Sequence, residues 1–187
     1  MVGNTPNYVR EDILRCLLLI PENHSRKRIM KRLSLGEGSV RALLDILKQR
    51  HLINSSRAGH FLTEKGEKLL SKILKVSTPP AEIKSDELFP NQKKAAILIR
   101  SHPSVINPVQ LRDVAVRSGA DGALILKYER GRFNLGFSYH QDFSFLKKYF
   151  KPQEGNLVVI AFGKNFNTCE RASLSVLCEL HPWIKRI

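Results

Sequence analysis

Between residues 8 and 20, apolar side chains fall at Val9, Ile13, Leu14, Leu17 and Leu18, spacings that wind onto one broad face of an α-helix. Glu11 and Asp12 in its first turn complement the helix dipole, and Pro21 ends it. After the polar link Pro21-Glu22-Asn23-His24, Ser25 is a good N-cap for a second helix through Leu33, with Ile29, Met30 and Leu33 as inner contacts. A third stripe, Val40, Leu43, Leu44 and Leu47, predicts a helix over 36–50. At about 100° per residue its opposite stripe carries Gly38, Arg41, Ala42, Asp45 and Gln49, a short polar face open at its N-terminal end.

Only Ser34-Leu35-Gly36 separates the second and third stripes, with Leu35 plugging the angle between the helices and Gly36 tolerated as an N-cap. Two helices joined by a three-residue turn containing Gly make a helix-turn-helix unit. Ser34-x-x-Glu37 is also the spacing of a plain capping box, which carries no function, and both readings can hold. Beyond Arg50 the period changes. Residues 52–56 read as a strand, Arg57-Ala58-Gly59-His60 as a turn, and Phe61-Leu62-Thr63 as the returning strand, a hairpin with a basic tip. Thr63 then caps another helix, whose apolar face runs through Leu69, Leu70, Ile73 and Leu74.

Charge sharpens the picture. The chain has 187 residues, enough for one large domain or two small ones, and 42% of them are hydrophobic, enough for a core. Its formal net charge is +14, and an excess of that size suits a polyanionic partner. Up to Val76 there are 15 basic against 7 acidic residues, leaving 16 against 10 for the remainder, so positive charge is denser in the first part. Arg26, Lys27, Arg28, Lys31 and Arg32 stand just before the third helix, where they serve either as a solvated face or as phosphate contacts.

Residues 8–74 resemble the winged helix-turn-helix domain of prokaryotic transcriptional regulators, of archaeal type. The resemblance is carried by Leu33-Ser34-Leu35-Gly36-Glu37-Gly38-Ser39-Val40-Arg41, by the exit His51-Leu52-Ile53, and by the return Phe61-Leu62-Thr63-Glu64-Lys65-Gly66. It implies binding of double-stranded DNA by the second helix of the pair, with the hairpin as a wing. Gly38, Arg41, Ala42 and Asp45 would then face base edges, with Ser39 at the flank. Arg41 is the foremost of these, because bidentate Arg to guanine is the commonest specific contact. Asp45 would either accept from cytosine or orient Arg41 through an i,i+4 pair. Ser25, Arg26, Lys27, Lys48 and Arg50 would hold phosphates, and Arg57 with His60 would be the wing's contribution. Gly38, unfavourable inside a helix, points either to close backbone approach to DNA or to a tight packing spot.

Residues 77–91, with Pro79 and Pro80 in succession, read as a stiff linker between domains at 1–76 and 92–187. The second domain opens with a buried strand from Ala95 to Arg100, followed by a helix from Pro108 to Ser118 and strands over 122–129 and 132–139 around Arg130-Gly131. A short helix over 143–150, a buried strand over 157–162 and a closing helix over 169–180 complete the order βαββαβα. The fold class is therefore α+β, a winged helix-turn-helix followed by a domain of ferredoxin-like order, with helices over one face of a mostly antiparallel sheet.

Candidate chemistry in this half is thin. Gly119-Ala120-Asp121-Gly122 lacks the spacing and Lys of a P-loop, and the six histidines make no zinc spacing, so no cofactor and no metal are expected. Cys178 with His181, and His140 with Asp142, read as structural or loop residues. Arg100, His102, Lys127 and Arg132 are the candidates for a site for a small anionic effector, where the first strand runs toward a helix. Cys16, Cys169 and Cys178 form an odd set within apolar patterns, which favours a reducing interior over a disulfide scaffold. With no run of roughly 18 apolar residues and no signal-peptide pattern, a soluble cytoplasmic protein is expected.

These observations converge on a transcriptional regulator, not an enzyme, working as a homodimer with a sensing or dimerisation domain. The alternative is an RNA-associated protein or an enzyme that docks through its winged helix. An RNA role would use Tyr128, Phe133 and Tyr139 as exposed aromatics on the sheet.

Overall fold

The computed structural model describes residues 7–22, 25–85, 88–135 and 141–187. The link residues His24 and Asn23, the expected strand end over 136–139 with Tyr139, and His140 lie outside the described residues. The chain is α+β and forms two compact units, one running to Ile73 with Ile187 added, the other from Leu74 to Arg186.

The first unit begins with helices α1 (Glu11–Leu19), α2 (Arg26–Leu33) and α3 (Glu37–Gln49). The apolar stripes meet one another: Leu17, Ile29, Leu33, Val40, Leu43 and Leu47 are wholly buried. Ser25 caps α2 as its spacing predicts, its hydroxyl accepting from the Arg28 N–H at 3.4 Å. Ser34 does not form the capping box. It closes α2 in the left-handed region at φ 53°, and Gly36 takes the N-cap of α3 with no side-chain cap, so Glu37 is released for other partners. Strands β1 (Ile53–Ser56) and β2 (Gly59–Leu62) pair antiparallel, and helix α4 (Glu64–Val76) follows. Thr63 fastens this corner. Its hydroxyl donates to the His51 carbonyl at 2.6 Å and accepts from the Gly66 N–H at 3.1 Å. A Cβ at Gly66 would overlap the Leu52 carbonyl oxygen, so only glycine lets α4 lie this close to the strand entrance.

In the second unit the strands are β3 (Ala81–Glu82), β4 (Lys93–Ile99), β5 (Gly122–Glu129), β6 (Arg132–Asn134) and β7 (Leu157–Gly163). Their spatial order is β3-β4-β7-β5-β6, antiparallel throughout. The ferredoxin-like expectation fails on this order. There the third strand of the unit lies between the first and second; here the last strand, β7, does so, while β6 stays at the edge as the hairpin partner of β5. Element sequence is the same in both cases, and only non-local pairing separates them. The β5–β6 turn is Arg130-Gly131, both at positive φ (53° and 77°), as a two-residue hairpin of right-handed twist requires. Glu154 accepts from both turn N–H groups, at 3.0 and 3.1 Å.

The stretch 77–91 is not a plain linker. Ser77 bridges to Ile99, and β3 pairs with β4 through Ala81↔Ala96 and Glu82↔Ala95. Pro79 and Pro80 fall between these pairing residues on an edge, where missing N–H groups cost little. Helices α5 (Pro108–Arg117) and α6 (Phe166–Leu180) pack on one face of the sheet. The other face is not left open: Ala96, Leu98, Leu126, Val158 and Ile160 meet Ile83, Leu88, Phe143, Leu146 and Phe150 in a second core. The expected short helix there is a 3₁₀ segment, Ser144–Lys148.

Lys94 sits inside this arrangement, 5% exposed. Its Nζ donates to the carbonyls of Ser85 (2.8 Å), Leu88 (2.7 Å) and Phe89 (3.1 Å), which uses all three ammonium protons and ties that segment to β4.

Candidate nucleic-acid interface

The outer face of α3 carries Gly38, Arg41 and Asp45 exposed, with Ala42 and Lys48 half-buried. No heavy atom outside the helix backbone lies within 4 Å of a Cβ built on Gly38. Among the described residues, then, nothing makes Gly38 a tight packing spot, the second of the two explanations for that glycine.

Arg41 does not rely on Asp45. Its Nη2 donates to Glu37 Oε1 at 2.9 Å, one turn back, and Arg26 Nη1 from α2 reaches the same oxygen at 3.1 Å. Glu37, in the first turn of α3, thus holds two guanidinium groups side by side, and the Arg41 side chain stays 61% exposed. The hydrogen bond from Arg41, then that from Arg26, keeps the Glu37 carboxyl below the usual glutamate range, so it is ionised and acceptor-only near neutral pH. Asp45 instead faces Lys48 Nζ at 3.8 Å. Glu37 is the residue that reading the sequence missed. The signal was present, since Glu37 and Arg41 stand at i,i+4 with the acid N-terminal, but the capping-box spacing claimed the same side chain.

Two of the expected contacts are withdrawn from the surface. Ser39 is 7% exposed, and its hydroxyl accepts from the Asn7 N–H at 3.0 Å. Four residues before Leu43, it belongs to the inner stripe rather than the flank. His60 is also 7% exposed, because β2 alternates and turns His60 and Leu62 inward while Phe61 points out, 45% exposed. The His60 ring lies 2.7 Å from the Ser55 hydroxyl. Burial first, then the positive charges of Lys48 and Arg26, hold His60 below the ordinary histidine value, which disfavours the cation a phosphate contact would need. The remaining backbone candidates, Ser25, Arg26, Lys27, Arg50 and Arg57, are exposed, with Arg57 at the hairpin tip.

Three of the four residues suggested for an effector are engaged separately. Arg100 Nη1 donates to the Leu74 carbonyl at 2.8 Å. His102 spans the Pro103 and Gly155 carbonyls, each at 2.7 Å, and Lys127 pairs with Glu129 at 2.6 Å. Arg132 is exposed on β6. Arg100, His102 and Lys127 are thus taken up by three separate partners rather than by a common anion site. His181 does similar work, 2.7 Å from the Ser101 carbonyl, and Asp142 accepts from Ser144.

Tyr128 and Phe133 meet edge to face at 5.0 Å, and Phe133 is buried, so this pair is core rather than a platform for bases. The three cysteines are buried thiols outside any disulfide. Burial, reinforced by Asp12, pushes the Cys16 thiol up to about 12, and burial with Asp121 pushes Cys169 up to about 11. Among the described residues no cluster of three or more His, Cys, Asp or Glu side chains is placed to hold a metal ion, and no helix is long and apolar enough to cross a membrane.

Residues 10–68 match the family described as PH0730-like, N-terminal domain, and residues 90–180 match a domain of unknown function (DUF4443). Among solved structures the chain is similar to hypothetical protein PH0730 from Pyrococcus horikoshii OT3, with 28% sequence identity and a TM-score of 0.81 over 95% of each chain. No curated protein matches the sequence.

Proposed function

We propose that the chain is a DNA-binding transcriptional regulator whose first unit is a winged helix, with α3 as the recognition helix and the β1–β2 hairpin as the wing. The observation that carries the reading is the pair of guanidinium groups, Arg41 and Arg26, forked on Glu37 at the open start of an exposed helix. A major groove about 12 Å wide accepts such a helix, and an arginine aimed by a fixed carboxylate loses less freedom on meeting guanine. Gly38, with open space at its Cβ position, lets the helix backbone approach closely. Lys27, Arg50 and Arg57 would set register on phosphates. The second unit would sense an effector or join two copies, giving a cytoplasmic homodimer that reads two half-sites.

The test is selection of genomic duplex fragments by the intact protein, beside a matched RNA pool, at two salt concentrations. A few duplexes are expected to survive the higher salt, and Arg41→Ala is expected to lose that preference by about 1–3 kcal/mol at the best site. Binding that favours RNA, or that falls uniformly with salt and ignores Arg41, would sink the reading.

A further inference from the structure

Of the six large apolar side chains exposed among the described residues, three, Val105, Val109 and Val116, belong to α5 and the loop that enters it. Val109 and Val116 stand seven residues apart, two turns along one line of the helix. Gln110, Asp113 and Arg117 extend the same outer face and, with Asn107 and the two valines, line an open groove along it. No residue beside an undescribed stretch lines that groove. Neighbouring apolar side chains left in water on the back of a helix whose front is core mark a surface that a partner covers.

The charges on this face say which partner. Asp113 and Arg117 stand at i,i+4 with the acid N-terminal, the spacing that closes pairs within a helix, yet they do not pair with each other. Asp113 instead accepts from Arg112 Nη2 at 3.2 Å, a contact between sequence neighbours that are both more than half exposed. Such a pair is worth little and is easily exchanged. Arg117 has no ion-pair partner among the described residues.

An antiparallel copy of α5 answers both. At about 100° per residue Asp113 and Arg117 lie on the same side of the valine line, and in an antiparallel two-fold pair like flank meets like flank. A two-fold axis at the level of Ala115 sets Asp113 level with the partner's Arg117, and Arg117 level with the partner's Asp113. It also stacks Val116 on the partner's Val116. The register that matches Val109 with the partner's Val116 brings Asp113 against its own copy instead, and opposed like charges count against it.

We infer that two copies of this chain join through the outer face of α5, antiparallel across Val116, with two Asp113–Arg117 ion pairs between them. The inference rests on the reading of the second unit as the joint between two copies, and it gives that joint a surface and an axis. A contact of one helix per copy is small, so association is weak and concentration-dependent.

Sedimentation equilibrium of the intact protein from about 1 μM to about 1 mM tests it, with duplex selection run separately on the same preparations. A monomer–dimer equilibrium is expected. Asp113→Arg and Arg117→Asp each set like charges across the axis, and each is expected to weaken the dimer at least tenfold. The double variant restores opposite charges and is expected to recover it. Val116→Glu, at an exposed position, is expected to weaken the dimer at least tenfold while leaving the thermal melting profile in place. The inference is overturned if the protein stays monomeric over the whole range, if the single variants associate like the natural protein, or if the double variant remains as weak as the singles. Failure to associate with duplex preference intact removes this joint alone. Loss of duplex preference with association intact removes the regulator reading alone.

Discussion

Glu37 and Arg41 stand one turn apart on α3, joined by a hydrogen bond of 2.9 Å, and the same carboxylate oxygen holds Arg26 from the neighbouring helix. With both side chains more than half exposed, the link biases rather than locks a surface arginine that samples many rotamers, and it places a negative charge on a face proposed to meet phosphates.

That arrangement predicts a titration. With its pKa depressed by Arg41 and Arg26, Glu37 should stay ionised as pH falls through the usual glutamate range, and its carboxyl carbon should titrate below that range by NMR. Arg41→Ala should move the midpoint up toward the ordinary value. Coincidence of the two midpoints would mean that the pair does not persist in solution. In the binding assay, Glu37→Gln should raise affinity for arbitrary duplexes while narrowing the gap between preferred and arbitrary sites.

Gly38 and Gly66 should respond oppositely to alanine. Gly38 has open space where a Cβ would stand, so Gly38→Ala should stabilise the first unit by up to about 1 kcal/mol through helix propensity. Duplex affinity should fall at the same time if the backbone approaches DNA there. Gly66 is backed by the Leu52 carbonyl, a backbone atom that cannot step aside, so Gly66→Ala should cost about 1–3 kcal/mol. Urea unfolding of both variants checks the sign of each change.

Lys94 should matter for stability although no feature of the sequence marks it. Lys94→Met keeps the aliphatic stem and removes three hydrogen bonds, leaving the Leu88 and Phe89 carbonyls without their ammonium partner. A loss of about 2–3 kcal/mol is expected on thermal or urea denaturation. A change under about 0.5 kcal/mol would show that water replaces the ammonium at no cost.

His60 should make the first unit acid-sensitive. Its folded pKa lies below the unfolded value, so between the two the unfolded chain binds the extra proton. Its contribution is therefore complete above the ordinary histidine value near 6.5 and is lost as pH falls from there toward the folded value. The melting temperature of the natural protein should drop over that interval, and His60→Gln, which keeps a hydrogen-bonding group for Ser55, should flatten the drop. Parallel profiles would place the acid sensitivity elsewhere.

Local pattern determined a large part of this protein. The stripes Ile13 to Leu17, Ile29 to Leu33 and Val40 to Leu47, the cap at Ser25, the hairpin around Arg57 and the cap at Thr63 are readable because each depends on neighbours within a few residues, whereas Val9, expected on the first stripe, precedes α1 and is exposed. The exposed identities of Gly38, Arg41 and Asp45 followed from helical period alone. Tertiary structure decided the rest, and in each case the deciding partner is distant in sequence or competes for the same group. Placing β7 rather than a hairpin strand beside β4 is a choice among non-local pairings that share one element order. Burial of Ser39 and His60 depends on what covers those faces, and the carbonyls that receive Lys94 come from a stretch whose prolines suggested only a linker. Glu37 could have capped its own helix. The left-handed turn at Ser34 left Gly36 at the N-cap, and that backbone choice freed the carboxylate to gather Arg26 and Arg41.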